Sequence, residues 1–405
     1  MSGWLTARLR LMMFLQFFVW GAWYATAGNY MSAVGMTDAI YWAYMASPIG
    51  SLVSPFFLGM IADRYFPVQK VMGVMHLLSG TFVFSAPFVA EGDFVSTPLF
   101  LVLLLLHMVC YMPTVGLAMA TAFHNLEDRE QQFPLIRAFG SIGWIGAGVL
   151  VSYVLHADET ALPMQIAGVG GILMAGYCFT LPNVPPPAAS RRTTFREIIG
   201  IDALKQLGSK SFAIFIVSLV LTSIPLATYY AYVPVFLNAA DIADPAFKMT
   251  FGQMSEIVFL LLMPWFFTKF GVKRVLLIGM TAWVVRYGLF LTGAMGAPTL
   301  FILIGIALHG ICYGFVYIAG QIYIDKKADP TIRAQAQGLF VLVTYGIGQG
   351  MGTLIAGGVF NRVVTGEALQ EWQLFWLMPL GFAAFVTALF GFFFREDVDA
   401  AATSA

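Results

Sequence analysis

The chain has 405 residues, 59% of them apolar and only 10% charged, and its 21 basic residues balance 21 acidic ones. A soluble domain carries about 25% charged residues, so this composition excludes an ordinary water-soluble globular protein. A net charge of zero also excludes the cationic surface that nucleic-acid binding needs.

In chain order, Arg8 and Arg10 precede the first apolar run, and Ala25-Thr26-Ala27 imitates a signal-peptidase site. Trp20, Trp23 and Tyr24 within that run, and the many apolar runs that follow, argue for a first membrane helix instead. A crossing helix needs ~20 apolar residues. Charged and Pro/Gly-rich breaks divide the chain into twelve such predicted helices: 9–34, 39–62, 70–90, 96–122, 133–156, 162–181, 212–238, 249–269, 274–295, 298–323, 333–360 and 372–394. The long polar stretch from Asn183 to Ser211, with Pro185-Pro186-Pro187 and Arg191-Arg192, reads as a linker. The expected organisation is an N-terminal six-helix bundle (1–182), a cytoplasmic linker (183–211) and a C-terminal six-helix bundle (212–405).

Cytoplasmic loops retain Lys and Arg. If the N-terminus is inside, 18 of the 21 basic residues fall in inside segments, only Lys248 and Arg362 fall outside, and Arg286 lies within the ninth span. Both termini are therefore expected in the cytoplasm, with Asp93 and Asp158 on outside loops. The protein is expected to be integral to a membrane.

Leu106-His107-x-x-Cys110-Tyr111 recurs as Leu308-His309-x-x-Cys312-Tyr313, and Ile136-Arg137-Ala138 recurs as Ile332-Arg333-Ala334. The copies are about half a chain apart and in the same order. They put the fourth and fifth helices in correspondence with the tenth and eleventh. A parallel repeat of two six-helix halves, with a solute site between them, is the plan of the major facilitator fold. The fold class expected is thus an all-α membrane protein of twelve helices in two pseudo-symmetric halves. The loop from Gly59 to Lys70 resembles that superfamily's short signature, so Asp63 and Arg64 are candidates for a cytoplasmic gate.

Ionisable groups within spans cost about 2.5–3.5 kcal/mol each on insertion scales, so each is a candidate site. Glu256 is the deepest, and Gln253 shares its helical face. A buried carboxyl can take up and release a proton as its surroundings alternate between wet and dry, which suits proton coupling; the alternative is a protonated Glu256 that bonds a neighbouring helix. Arg137, Ser141 and Trp144 form one stripe of a guanidinium, a hydroxyl and an aromatic face, suited to a polar ligand with a flat ring. Snorkelling of Arg137 to the membrane surface is the competing reading. His309, Tyr313 and Tyr317 form a similar stripe on the tenth helix, with a helix-to-helix hydrogen bond as the alternative for His309. His76 and His107 are expected to serve packing, and Arg286 to bond a carboxylate or carbonyl.

Cys110, Cys178 and Cys312 lie in apolar runs and have neither disulfide nor zinc spacing. No metalloprotease, nucleophile-elbow or phosphate-loop motif occurs, so no enzymatic activity, cofactor or metal is expected.

Several stretches carry a closer resemblance. They are Phe14-Leu-Gln-Phe-x-x-Trp-Gly-x-Trp23, Tyr111-Met-Pro-Thr-x-Gly116, Pro134-x-Ile-Arg137-x-x-Gly140-Ser-Ile-Gly143, Gln253-x-Ser-Glu256, Ala282-Trp-x-x-Arg286 and Ile332-Arg-Ala-x-Ala-Gln-Gly338. Along essentially its whole length the chain resembles the bacterial nucleoside:proton symporters, a branch of the major facilitator superfamily. The resemblance implies that Arg137, Ser141, Trp144, Gln253, Glu256, His309 and Tyr313 contact a nucleoside and that Glu256 couples a proton. It implies a monomer that takes a small molecule and a proton as partners in the bilayer. Two positions depart from the family: neither Gln nor Asn occurs from Leu226 to Tyr230, where relatives bind substrate, and Gly314 replaces an Asp. A carrier for another polar solute such as a sugar or cell-wall fragment, an uncoupled facilitator, and a non-transporting membrane sensor are the alternative readings.

Overall fold

A computed structural model describes residues 3–57, 66–92, 95–186, 200–329, 332–366 and 368–395. Among these, every regular element is helical. The membrane helices, in chain order, are α1 (Gly3–Tyr24, continued after a short break by Ala27–Ala33), α2 (Ile40–Phe57), α3 (Val68–Ser85), α4 (Thr97–Asn125), α5 (Arg129–Gly148) and α6 (Leu162–Cys178). After the linker come α7 (Lys210–Ala239), α8 and α9 (together Pro245–Ala294), α10 (Thr299–Lys327), α11 (Gln335–Val363) and α12 (Glu371–Phe393). Eight described helices are long and apolar enough to cross a membrane, α8 and α9 being counted there as one. Gly271, at φ 70° and ψ 173°, breaks that rod in two, a backbone state that glycine adopts without a Cβ penalty.

Starts and stops follow local chemistry. Ser96 and Ser209 cap α4 and α7 by accepting the amides of Leu99 and Phe212. Within the spans, hydroxyls are consumed locally: Thr222 donates to the Ser218 carbonyl at 2.7 Å and Thr228 to that of Ile224 at 2.9 Å. Three helices differ from the regular period assumed from the sequence. α5 ends in a wider π turn at Val149–Val154, and α10 and α11 contain π turns at Gly314–Ile318 and Leu342–Gly348. Such turns re-aim the side chains that follow them. The stretch read as a plain linker contains a short helix, Ile201–Gln206, and Gly200 beside it sits against Gln335 and Leu339 of α11.

Small residues let helices approach closely, as membrane packing requires. A Cβ on Gly143 of α5 would lie 2.2 Å from the Phe14 carbonyl oxygen of α1, and one on Gly310 of α10 would lie 2.4 Å from the Ser255 backbone of α8. Contacts between the first six helices and the last six include a set at the end remote from the linker. There Gly28 abuts Val235, Gly357 abuts Tyr41, and the Asn361 amide donates to the Asp38 carbonyl at 2.8 Å.

Candidate functional site

The two close approaches set the site. With α5 pressed on α1, the Arg137 guanidinium lies over the Phe17 ring at 4.2 Å, and the Trp144 ring meets Trp20 edge-on at 5.5 Å. With α10 pressed on α8, the Ser255 hydroxyl accepts the Gly310 amide at 2.9 Å, and Gly252 fits beneath His309. That contact aligns Gln253 and Glu256 of α8 beside His309 and Tyr313 of α10.

The two sets of helices meet at this level through aromatic rings. Tyr230 of α7 lies 5.9 Å from Tyr24 and 6.4 Å from Trp144. The Arg137 charge reaches both Glu256 and Tyr345. Even so, among the described residues Arg137 and Glu256 form no direct ion pair. Glu256 is half-buried, and the rings of Trp144 and Tyr230 meet between α5 and α7.

His309, Tyr313 and Tyr317 form the stripe read from the sequence: their rings stack at 5.5 and 5.3 Å. His309 also stacks on Tyr229 at 4.9 Å, and its Nε2 is 3.3 Å from the Tyr230 hydroxyl. Its Nδ1 and the Oε1 of Gln253 are buried without a hydrogen bond inside the protein. They share this with other buried atoms of the chain, among them the Tyr229 hydroxyl and His107 Nε2. The Tyr313 and Tyr345 hydroxyls bond to each other.

The structure thus brings together Arg137, Trp144, Gln253, Glu256, His309 and Tyr313. Ser141, half-buried, lies on α5 one turn from Arg137. Asp63 and Arg64 lie outside the described residues. Arg286 donates from Nε to the Gly305 carbonyl at 2.8 Å and from Nη2 to that of Ile306 at 3.2 Å, a carbonyl partnership within the last six helices.

Four aromatic residues of this site escape a reading by helical stripes: Trp20, Tyr24, Tyr230 and Tyr345. The run from Leu226 to Tyr230, marked by its missing amides, held a signal for Tyr230; nothing in the α11 pattern marked Tyr345. Two grooves of about 510 and 420 Å³ on the outer faces contain none of the candidate residues.

The chain matches the family described as nucleoside H+ symporter over residues 4–399. It is 34% identical to a putative nucleoside transporter, YegT, of Escherichia coli K12, covering 97% of this chain and 94% of that one. It is 30% identical to the xanthosine permease of the same organism, covering 97% and 96%. Its structure superposes on that of the nucleoside transporter NupG, in a mutant form, with a TM-score of 0.88 at 27% identity, over 96% of this chain and all of that one. A POT-family peptide transporter, PepTSo, shares the fold with a TM-score of 0.76 at 13% identity. From its first helix to its last, the chain is an all-α integral membrane transporter of the major facilitator fold, not an enzyme, and belongs to the nucleoside H+ symporter family.

Proposed function

We propose that the chain imports a nucleoside or nucleoside-like solute together with a proton, by alternating access to a site between residues 1–182 and 212–405, the two halves joined by the linker 183–211. The observation that supports this reading is that two ionisable side chains within the spans, Arg137 over the Phe17 ring and half-buried Glu256, form no ion pair with each other, while aromatic rings of the two halves, Trp144 and Tyr230, meet between α5 and α7. A neutral solute with hydroxyls and a flat base fits that pattern. Its base stacks on Trp144 and the facing tyrosines, and its polar edge reaches Gln253 Oε1 and His309 Nδ1. Arg137 and Ser141 hold polar groups of the solute from the opposite side. Glu256 takes the proton when its side of the site is wet and is neutralised when the site closes.

In this reading twelve helices cross a bacterial inner membrane, both termini and the linker are cytoplasmic, and the protein works in the bilayer as a monomer. Asp63 and Arg64 close the cytoplasmic side. The run from Leu226 to Tyr230, and Gly314, which fall where relatives carry amides and a carboxylate, shift selectivity among nucleoside-like solutes.

The test is uptake by proteoliposomes of purified protein with an imposed inward proton gradient, using uridine, adenosine, xanthosine and a sugar as solutes. Accumulation of one or more nucleosides, abolished by a protonophore, is expected. Uptake of the sugar alone, or nucleoside uptake indifferent to the proton gradient, would replace this reading.

A further inference from the structure

At the end remote from the linker, the loop after α5 meets the start of α8 in a set of bonds that the solute site does not use. Helix α8 begins with Pro245 after Asp244, yet the Asp244 side chain makes no capping hydrogen bond. Its carboxylate is taken instead by His156 Nδ1 at 2.8 Å. The missing cap comes from the other set of six helices: Asp158 Oδ1 accepts the Ala246 amide at 2.9 Å, while its Oδ2 accepts the Ser152 hydroxyl at 2.6 Å. The Asn238 amide donates to Glu159 beside them.

Asp158 was expected on a solvated outer loop, but only 8% of it is exposed. Burial pushes its carboxyl above its ordinary value of 3.8, against the pull of the Ser152 and Ala246 bonds. His156 is 69% exposed at its side chain, so its ion pair with Asp244 is screened and weak. Of these bonds, the buried cap is the one that matters energetically. Both His156 (φ 48°) and Asp244 (φ 54°) hold left-handed backbone, which non-glycine residues keep only where the surroundings enforce it. Just beneath, Gly148 of α5 packs on Thr250 and Ala246, where a Cβ would come within 2.6 Å of the Thr250 methyl.

We propose that Asp158 is a positioning residue for α8, capping that helix from across the interface only while this end is closed. Closing the end and seating Gln253 and Glu256 are then one event, since both ride on α8 two to three turns below the cap. The inference rests on the reading that α8 carries the solute and proton groups.

The test is maleimide labelling of Thr250→Cys in purified full-length protein, with Thr250 1% exposed in the closed form. Asp158→Ala should label faster by about fivefold, the equilibrium equivalent of one lost helix cap. Asp158→Asn, whose amide oxygen still accepts the Ala246 amide, should label at the parent rate. Equal rates in both variants, fast or slow, would overturn the cap. In case Asp158→Ala does not fold, a cleavable cross-link between Glu159→Cys and Asn238→Cys holds the end shut. Turnover should stop on cross-linking and return on cleavage, and undiminished turnover in the cross-linked protein would overturn the proposal. The labelling uses no solute, so its outcome is independent of what the chain carries.

Discussion

The two copies of Leu-His-x-x-Cys-Tyr hold the same residues and are used in different ways. In the first, on α4, the bonded groups find their partners among neighbouring helices of the same bundle, although His107 Nε2 is left unbonded. His107 Nδ1 lies 2.8 Å from the Ser79 hydroxyl and 2.9 Å from the Ser79 carbonyl, and the Tyr111 hydroxyl donates to the Gln16 carbonyl. Gln16 in turn bonds Thr114 and His76, each at 2.8 Å. In the second copy, on α10, His309 likewise keeps one ring nitrogen, Nδ1, unbonded and stacks on the tyrosine that follows, but its stack runs on through Tyr317 and its other nitrogen meets the Tyr230 hydroxyl of α7. A repeat therefore places equivalent residues on corresponding helices, while the neighbouring helix decides which partners they meet. Opposite His107 stands a serine of α3; opposite His309 stand Tyr229 and Tyr230 of α7.

The largest expected effect separates the copies by charge, since the second copy faces a carboxylate. A proton moving through ~150 mV supplies about 3.5 kcal/mol, enough to concentrate a neutral solute roughly 300-fold. Glu256→Gln should abolish that accumulation in proteoliposomes while leaving exchange of labelled for unlabelled solute. Protonophore-sensitive accumulation surviving in the variant would remove Glu256 from coupling and weaken the contrast.

Next come the two histidines themselves. His309→Phe preserves the stacked ring but removes Nδ1, so solute affinity measured by calorimetry should fall about tenfold, the loss of one buried hydrogen bond, with little change in melting temperature. His107→Phe strands the Ser79 hydroxyl and should cost about 1–3 kcal/mol of stability, with affinity unchanged. Equal effects on affinity from both substitutions would erase the distinction.

A third comparison concerns the residue after each tyrosine, Met112 in one copy and Gly314 in the other. A Cβ on Gly314 would meet only the flexible Met263 methyl, at 3.4 Å. Gly314→Asp should therefore fold, and is expected to improve nucleoside affinity several-fold or to steepen its pH dependence, at a stability cost of about 1–3 kcal/mol for a buried carboxyl. Tight uridine or adenosine binding by the unaltered protein, with no gain in the variant, would show that another group does the work of the missing carboxylate.

The smallest effect is expected from the second Ile-Arg-Ala. Arg333 pairs with Asp325 at 3.5 Å with both side chains nearly half exposed, a contact worth about 0–1 kcal/mol. Arg333→Gln should leave affinity and melting temperature nearly unchanged. Arg137→Gln, in the first Ile-Arg-Ala, should remove solute binding in the same calorimetric assay.

Much of the site was legible because helical periodicity is a local property. Arg137 with Trp144, Gln253 with Glu256, and His309 with Tyr313 are each spaced to share a face of one helix; the Trp144 ring meets Tyr230 of the other half, and the His309 and Tyr313 rings stack. The partners contributed by other helices were not legible. Tyr345 follows a π turn's start in α11, so a regular period does not report where its ring points. Asp158 looked like a solvated loop acid because charge and loop position favour exposure, whereas its partners lie 88 residues away at Ala246 and close by at Ser152.

The amino-acid sequence by itself determined the solvent, the helices and the doubled plan. An apolar chain with few charges has to satisfy its backbone within helices, and a motif copied half a chain later has to sit at an equivalent place in each bundle. Only the tertiary structure decided which neighbours each copy meets and which residue caps α8. Those outcomes depend on the groups that distant helices bring within hydrogen-bonding distance, and a buried polar atom is spent or spare according to neighbours that no local pattern encodes.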